Sequence, residues 1–255
     1  MKISIITVCY NSEPYIKAAI ESVLFQSHSN IEYIVIDGGS TDDTLNLVSQ
    51  YADRIPHIIS ESDKGIYDAM NKGICLATGD VIGILNSDDF YPHSDVISNI
   101  VSTFENNLDT DMVFSNIDFV SGDDLTKAVR VFSAKKFQPW KLRFGFMPPH
   151  PGAFIKKSVY DQVGLYKLGY KIAADFDMFI RMLLIYNFSF TRINQTSVRM
   201  RLGGISTAGL GSNLIATNEM VRALEENNIL SNRLLVSFRL PVKLFQLILV
   251  KLGML

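Results

Sequence analysis

Acidic side chains follow several apolar runs of this sequence, at the points where the runs end. Asp37 follows EYIVI, Asp63 follows HIISES, and Asp88 and Asp89 follow VIGILNS. Carboxylates gathered at one site repel one another and raise one another's pKa unless a cation lies among them. Mg²⁺ and Mn²⁺ accept carboxylate oxygens and bridge diphosphates. If the fold brings these acids together, we expect a divalent metal site for a phosphorylated ligand.

The Asp88-Asp89 pair directly follows a run of buried-strand type, which favours a place in a crevice over a solvated helix face. An aspartate pair after a strand also occurs as a turn or a helix cap, so both interpretations stay open. Asp42 and Asp43 are interpreted as charges in the first turn of a helix.

Several common catalytic motifs are missing. The sequence contains no G-x-G-x-x-G after its first apolar run and no G-x-x-x-x-G-K-[ST], which argues against an ordinary dehydrogenase or P-loop kinase. Cys9 and Cys75 show no CxxC spacing, so neither a disulfide framework nor a zinc knuckle is indicated.

The elements that must position the acidic loops follow a repeating pattern. Apolar, β-branched runs at 3–9, 32–37, 57–61 and 81–85 each precede a polar loop and a segment with apolar residues at helical spacing. Four such alternations predict an α/β fold with a doubly wound, mostly parallel sheet and helices on both faces. The loops at the carboxyl ends of parallel strands converge on a ligand crevice.

Beyond residue 110 the alternation weakens, which predicts a mixed extension. We expect a ligand-binding half over 1–110, a half of the same domain that carries a second substrate over 111–230, and an amphipathic tail over 231–255. The tail is apolar and carries four basic residues but no Asp or Glu. Pro241 and Lys243 interrupt it, so it favours a helix lying in a membrane interface over a spanning one, and packing on the domain or a partner is the alternative.

Composition limits the class of protein. Of 255 residues, 47% are hydrophobic and 20% charged, enough apolar surface for a continuous core. The 24 basic and 26 acidic residues give a net charge of −2, which argues against a chain that coats nucleic acid. The first residues show no apolar leader, so we expect a cytoplasmic protein.

Five segments together resemble the family 2 glycosyltransferases, inverting sugar transferases with the GT-A fold. They are SIITVCYN, IDGGSTDDT, DKGIYDAMNKGI, ILNSDD and AADFDMFIR, in the order that the family has them, and the resemblance covers about residues 1–205.

The resemblance implies that the half over 1–110 binds a nucleotide-sugar donor and a metal, and that the half over 111–230 is the acceptor side. Asp37 corresponds to the acid that accepts a hydrogen bond from the base, and a carboxylate there suits the N3–H of uracil or thymine, hence a UDP- or dTDP-sugar. Asp88 and Asp89 are the expected ligands of Mn²⁺ or Mg²⁺. The donor-binding candidates are Thr7, Tyr10, Asn11, Asp37, Asp63, Lys64, Asn71, Asn86, His150 and Arg201.

Asp175 matches the base of the family. Inversion by direct displacement needs one carboxylate that removes the proton of the acceptor hydroxyl. The alternative for Asp175 is a helix N-cap, and the two roles are compatible. For His150 and Arg201, packing and solvation stay open as alternatives. Arg201 precedes Gly203-Gly204-Ile205-Ser206, which could approach a phosphate or form a hinge.

This sequence departs from the family pattern at three positions. Asn86 stands where D-x-D has its first acid, and Met70 where many relatives have arginine. Ala174 stands where a glutamate usually precedes the base, and we expect the missing charge to leave the pKa of Asp175 less raised. The absence of Q-x-x-R-W indicates addition of a single sugar.

We therefore expect a metal-dependent, hexosyltransferase-type enzyme that moves one sugar from a nucleotide-sugar to a saccharide or lipid-linked saccharide in bacterial surface-polysaccharide biosynthesis. The tail indicates peripheral contact with the inner face of the plasma membrane. Two alternatives stay open: a nucleotidyltransferase that makes nucleotide-sugars, and a non-catalytic nucleotide-sugar-binding protein.

Overall fold

Eight strands and the helices between them make up the part of the chain described in this computed structural model, residues 1–122, 124–203 and 210–242. The strands are β1 (Ile3–Cys9), β2 (Ile31–Asp37), β3 (His57–Ser60), β4 (Val81–Asn86), β5 (Met112–Val120), β6 (Ala128–Phe132), β7 (Ala153–Lys156) and β8 (Phe190–Arg201). The α-helices are α1 (Ile16–Leu24), α2 (Thr44–Ser49), α3 (Ile66–Leu76), α4 (Val96–Asn106), α5 (Lys157–Val163), α6 (Ala174–Ile180), α7 (Leu210–Glu226) and α8 (Arg233–Ser237). Short 3₁₀ segments lie at Ala52–Arg54 and Pro139–Phe144, and a π-helical turn at Arg181–Ile185 continues α6.

The strands form one sheet in the order β3-β2-β1-β4-β7-β5-β6, with β8 paired to β5. The first four strands are parallel, which confirms the predicted doubly wound half. Cys9 lies opposite Asp37, and Val8 lies opposite Asn86. The loops after β1, β2 and β4 therefore leave the sheet side by side.

Side chains that alternate along the central strands fill two cores, one on each face. Ile3 and Ile5 of β1 pack with α1 and α4, whereas Ile6 and Val8 pack with α3 and α6. Gly73 lets α3 approach β1 closely, because a Cβ at this position would overlap the side chain of Ile6. Burial on both faces holds the strand ends, and hence the polar loops, in fixed positions.

The second half adds a mixed extension, as the weakened alternation predicts. β7 runs antiparallel between β4 and β5, and β8 runs parallel to β5. β7 begins two residues after Pro151, the last of three prolines in the segment that precedes it. Once past the prolines, AFIK has free N–H groups and pairs with both neighbours.

The C-terminal segment is described as far as residue 242. The remaining residues of the predicted tail, 243–255, and the residues Gly204, Ile205 and Ser206 of the glycine-pair segment lie outside the described residues. Within the described ranges, no helix combines the length and the apolar character that crossing a bilayer requires.

Candidate active site

The carboxylate of Asp37, at the end of β2, organises the loop that follows it. Its Oδ2 accepts hydrogen bonds from the N–H groups of Gly39 (3.2 Å) and Ser40 (3.0 Å) and from the Ser60 hydroxyl (2.6 Å), and its Oδ1 accepts one from the Ser40 hydroxyl. Burial alone would raise the pKa of Asp37, but these hydrogen bonds outweigh it and lower the pKa. The side chain is fully buried, so it supports the loop after β2 from beneath.

The loop after β1 is joined to its two neighbours. Asn11 has a positive φ of 47°, and its Oδ1 accepts the N–H of Thr41 at 2.9 Å. The Ser12 hydroxyl lies 2.7 Å from that of Ser87 in the loop after β4. Asparagine tolerates the left-handed conformation better than most residues, which explains how a non-glycine fits this sharp turn. Tyr10, beside them, projects into solvent with 61% of its surface exposed.

Asp63 lies against the loop after β2. An ideal Cβ on Gly38 would come within 2.5 Å of Asp63 Oδ2, so a side chain at position 38 would displace that carboxyl, and it would lie in ordinary contact, 3.5 Å, with the Tyr10 ring. The Oδ1 of Asp63 accepts the N–H of Gly65, just before α3. Lys64 is exposed, with its backbone N–H bonded to Asp68 Oδ2 at 3.0 Å. Tyr10 and Asp63 therefore share one side of the crevice.

Two carboxyls and one amide meet after β4. Asn86 Nδ2 lies 3.4 Å from Asp89 Oδ2, while the Oδ1 atoms of both residues are buried with no hydrogen-bond partner in the described part of the chain. Burial raises the pKa of Asp88. Burial, with added repulsion from Asp88, raises the pKa of Asp89 well above its usual range. A cation bound here would satisfy the free oxygens and remove the repulsion.

Arg201, at the end of β8, supplies positive charge to this pair. Its guanidinium carbon lies 5.1 Å from the centre of the Phe90 ring and 5.5 Å from that of Tyr15, and its charge opposes the rise in the pKa of both Asp88 and Asp89. The strand end is fixed because the backbones of Phe90 and Arg199 exchange two hydrogen bonds. The Nε of Arg201 is buried and unpaired within the described residues, so it is available to an anionic ligand.

The described part of the fold does not gather the acids of the separate loops around one point. Within residues 1–122, 124–203 and 210–242, no three His, Cys, Asp or Glu side chains are close enough to hold a metal ion together. Asp37 instead bonds its own loop, and Asp63 bonds the start of α3. The condition for a metal site built from the acids of several loops is therefore not met among these residues, and Asp88 and Asp89, together with Asn86, stay the predicted ligands.

Asp175 lies in the first turn of α6 and is half-buried. The N-cap is Ala173, so our alternative of an Asp175 N-cap was wrong; its Oδ1 instead accepts the N–H of Phe176 at 2.8 Å. Burial, and secondarily the negative charge of Glu219 on α7, raises the pKa of Asp175 to about 7 despite the hydrogen bond. Ala174 places no negative charge beside Asp175, but Glu219 does so from another helix. The sequence spacing did not suggest this source.

Two tyrosines face Asp175. Burial raises the pKa values of Tyr67 and Tyr166 well above the usual range, and the charge of Asp175 contributes to both. The hydroxyl of Tyr67, in the first turn of α3, donates to the carbonyl of Ile172. Since α3 begins directly after Asp63-Lys64-Gly65, this contact places Asp175 near the loop after β3.

Three predicted donor contacts have their polar groups engaged by the fold. The hydroxyl of Thr7, fully buried within β1, lies 3.0 Å from that of Tyr33. Both ends of the Asn71 amide bond the backbone of Tyr166. His150 Nε2 lies 2.8 Å from the Tyr166 hydroxyl, and burial lowers the pKa of His150 to about 4. This imidazole is neutral at pH 7, so it offers no positive charge to a phosphate, and the structure favours packing for all three.

Sequence reasoning missed the residues that link these loops. Ser12, Ser60, Ser87 and Glu219 make their contacts with residues far away in the chain, between 23 and 75 positions distant. Ser12 and Ser87 lie within the matched segments or next to them, which could have drawn attention to them. Glu219 carried no such signal.

The chain has recognisable relatives. The family model described as Glycosyl transferase family 2 matches residues 4–164. An uncharacterized glycosyltransferase of Mycobacterium tuberculosis is 31% identical over 212 residues, which are 82% of this chain and 77% of that protein. A PGL/p-HBAD biosynthesis glycosyltransferase of Mycobacterium bovis is 27% identical over 236 residues, which are 91% of this chain and 88% of that protein.

Solved structures share the fold. The crystal structure of S. aureus TarS 1-349 in complex with UDP-GlcNAc superposes with a TM-score of 0.68 at 17% identity, over 88% of this chain and 66% of that one. The mannosyltransferase PcManGT of Pyrobaculum calidifontis, in complex with GDP-Man and Mn²⁺, gives a TM-score of 0.63 at 16% identity, over 89% of this chain and 64% of that one. The chain thus spans slightly less than two thirds of each structure, and identities this low show the fold alone.

Proposed function

The chain belongs to glycosyl transferase family 2, and from that membership we propose that it transfers one sugar, with inversion, from a nucleotide-sugar donor to a saccharide or lipid-linked saccharide. The observation that carries the proposal is the convergence of three strand-end loops. Asp37 and Asn86 end strands on either side of β1, and the loop after β1 is bonded to the loops that follow both.

The nucleotide is assigned to the side formed by the loops after β1, β2 and β3. Tyr10 is exposed and Asp63 lies beside it, so a base and ribose can lie against them. Asp37 holds the backbone of this loop in place. TarS has been solved with UDP-GlcNAc and PcManGT with GDP-Man, which supports a nucleotide-sugar donor in general, and the choice of a UDP- or dTDP-sugar stays with the expectation from Asp37.

The diphosphate is assigned to the loop after β4 and to Arg201. The residues present fit a hard divalent cation such as Mn²⁺ or Mg²⁺: the unpaired Oδ1 atoms of Asn86 and Asp89 and the carboxyl of Asp88 are the oxygen donors that it prefers. When bound, such a metal stabilises the negative charge of a leaving diphosphate. Arg201, with its unpaired Nε, is suited to hold a phosphate oxygen.

Asp175 is assigned the role of base. Its carboxylate accepts the proton of the acceptor hydroxyl while that oxygen bonds to the anomeric carbon of the donor. The bond from this carbon to the diphosphate breaks on the opposite face, and the diphosphate leaves with the electron pair. A pKa of about 7 makes Asp175 a stronger base than an ordinary aspartate while leaving about half of it ionised at neutral pH.

The proposed acceptor is a lipid-linked saccharide, which the protein would meet at the cytoplasmic face of a membrane. α8 buries Val236 near Gly145 and exposes Leu234 and Phe238, by 79% and 59%. The adjoining 3₁₀ segment exposes Trp140. The 3₁₀ segment is bonded to the residues just before α8, because Arg143 Nη1 donates to the carbonyl of Leu230 at 3.4 Å.

The charges near this apolar surface favour an anionic membrane. Lys141, Arg143 and Arg233 lie on the same two segments, and the sequence has no acid from residue 227 onward. Arg239, also in the tail, does not contribute to this basic surface, because it is buried and donates to the Thr217 hydroxyl at 3.0 Å. The described part of the tail thus packs on α7 while its other face presents apolar side chains beside basic ones.

A panel of nucleotide-sugars with Mn²⁺, screened by thermal shift, tests the donor assignment, because a ligand that binds only the folded state raises the melting temperature. We expect a UDP- or dTDP-sugar to stabilise the protein and to release its nucleoside diphosphate faster when acceptor is added. Consumption of a nucleoside triphosphate with release of pyrophosphate would instead support a nucleotidyltransferase. Binding without acceptor-stimulated release would support a non-catalytic role.

A further inference from the structure

A carboxylate from α7 holds the loop that leads into the helix of the candidate base. Glu219 Oε1 lies 2.7 Å from the backbone nitrogen of Lys171, and its Oε2 lies 2.9 Å from that of Ile172 and 3.0 Å from that of Ala173. Three consecutive N–H groups thus donate to one side chain 46 to 48 residues away. Both carboxylate oxygens are used.

This contact holds the backbone at the start of α6, where the N-cap residue has no capping side chain. Ala173, the N-cap of α6, has no side-chain oxygen to accept a hydrogen bond. The N–H groups at and before a helix start need partners from outside the helix, and a negative charge there also interacts favourably with the helix dipole. Glu219 supplies both from another helix, two positions before Asp175.

α7 is itself fixed to α6 and to the loop before it. Asn227 Nδ2 donates to Oδ1 of the fully buried Asp177 at 2.8 Å, and Lys167 Nζ bonds the same oxygen at 2.9 Å. Lys167 also pairs with Glu226 at 3.1 Å. Glu219 therefore projects from a helix whose position relative to α6 is set independently, and it can act as a fixed tether.

Glu219 is also the charged group that acts on Asp175 among the described residues. The other titratable groups facing Asp175 are Tyr67 from α3 and Tyr166 from the loop after α5, both neutral at pH 7. Tyr166 in turn contacts His150, which is also neutral at that pH. Removing the charge at position 219 is therefore expected to change the pKa of Asp175 directly.

Resting on the proposed function, in which Asp175 is the base, we propose that Glu219 is the positioning residue for that base. It fixes residues 171–173, and through them the first turn of α6, and it places one negative charge beside Asp175. Substrate need not touch Glu219 for this role.

Two variants separate the tether from the charge. Glu219→Gln keeps one acceptor oxygen but removes the charge, whereas Glu219→Ala removes both. Glu226→Gln is the matched control, because Glu226 lies on the same helix and bonds the same loop through Lys167 and Tyr170 but does not contact the N–H groups of 171–173. Amide hydrogen exchange of residues 171–173 and NMR titration of the Asp175 carboxyl report on the role without any turnover.

We expect exchange of these three amides to be about tenfold faster or more in Glu219→Ala, because the variant loses the charge-assisted hydrogen bonds that protect them from exchange. In Glu219→Gln we expect the Asp175 titration, and with it the acid limb of the transfer rate, to move to lower pH. We expect kcat to fall about 10- to 100-fold in Glu219→Ala with the donor KM unchanged, because a small misplacement of a base is costly. Glu226→Gln should lie much closer to the wild type than either Glu219 variant does, because Lys167 and Asn227 still bond Asp177.

Unchanged amide exchange in Glu219→Ala, or an unchanged Asp175 titration in Glu219→Gln, overturns the proposal. If both shifts are seen but Asp175→Asn transfers sugar at the wild-type rate, then the base assignment fails while the tether stands. The failure of the proposed function is thus distinguished from the failure of this inference.

Discussion

The hydroxyls of Ser12 and Ser87 lie 2.7 Å apart and join the loop after β1 to the loop after β4. The first loop carries Tyr10 and the second carries Asp88. On the proposed function, this pair sets the distance between the nucleoside side and the diphosphate side of the donor site.

Ser87→Ala tests that link. Removing the hydroxyl deletes one hydrogen bond between the two loops, which contributes about 1 kcal/mol. We therefore expect the donor KM to rise roughly fivefold, with a smaller effect on kcat. Steady-state kinetics with the donor found by thermal shift measure this change. Ser98→Ala is the control, because Ser98 forms a comparable hydroxyl pair with Ser27 at 3.3 Å on the exposed surface. Equal KM values in Ser87→Ala and the wild type would show that the pair does not shape the donor site.

The loop after β4 is expected to bind Mn²⁺ only together with a diphosphate, because the described chain itself offers few oxygen ligands. Asp88→Asn and Asp89→Asn should each weaken Mn²⁺ binding in the presence of UDP by about 30-fold or more, measured by electron paramagnetic resonance of free Mn²⁺. Asp43→Asn, at an exposed carboxylate that bonds Asn46, should bind normally. Donor binding that survives EDTA unchanged would contradict the metal assignment.

Activity should rise with pH through about 7, the pKa to which burial and then Glu219 raise Asp175. The base must be deprotonated to accept a proton, so kcat should be low near pH 5.5 and reach a plateau above pH 8. The pH profile of single-turnover transfer checks this expectation. An acid limb near pH 4 would mean that the group required in its ionised form is an ordinary carboxylate.

The same carboxyl should reduce stability at high pH. The folded protein holds this proton up to about pH 7, whereas the unfolded chain loses it near 3.8, so the free energy of unfolding falls as pH rises between these values. Asp175→Asn removes that cost. We expect it to be more stable than the wild type by about 2 kcal/mol at pH 8, after allowing for solvent screening, and by less at pH 5. Urea denaturation at both pH values measures the difference, and an equal effect at both would contradict the buried-charge account.

Membrane contact should depend on the exposed face of α8. Leu234→Ser is expected to lower sedimentation with anionic liposomes several-fold, because it removes apolar surface from the proposed interface. Leu108→Ser is a closely matched control, since Leu108 is also 79% exposed but lies in the loop after α4. Equal losses in both variants, or none in either, would contradict a specific surface on α8.

The parallel half of the fold was predictable because its signals are local. Each of the four strands is a short apolar run followed by a polar loop and a helical repeat, and the structure confirms each one. The prediction failed where pairing is long-range: β7 inserts antiparallel between β4 and β5, and no local pattern in AFIK specifies those neighbours.

The same distinction applies to the site. Strand-end positions predicted that Asp37 and Asp88 lie at one end of the sheet, but not that Asp37 would bond Ser40 and Ser60. That Glu219 would cap the loop before Asp175 depends on how α7 packs against α6, which sequence spacing does not encode.

The most direct test of the account compares Asp175→Asn with the wild type in donor binding and in transfer, using the donor found by thermal shift. We predict equal donor affinity within about twofold, because Asp175 acts on the acceptor, and a single-turnover transfer rate lower by about a thousandfold, as expected for the loss of a general base. A variant that binds the donor and transfers sugar at the wild-type rate would contradict the central claim.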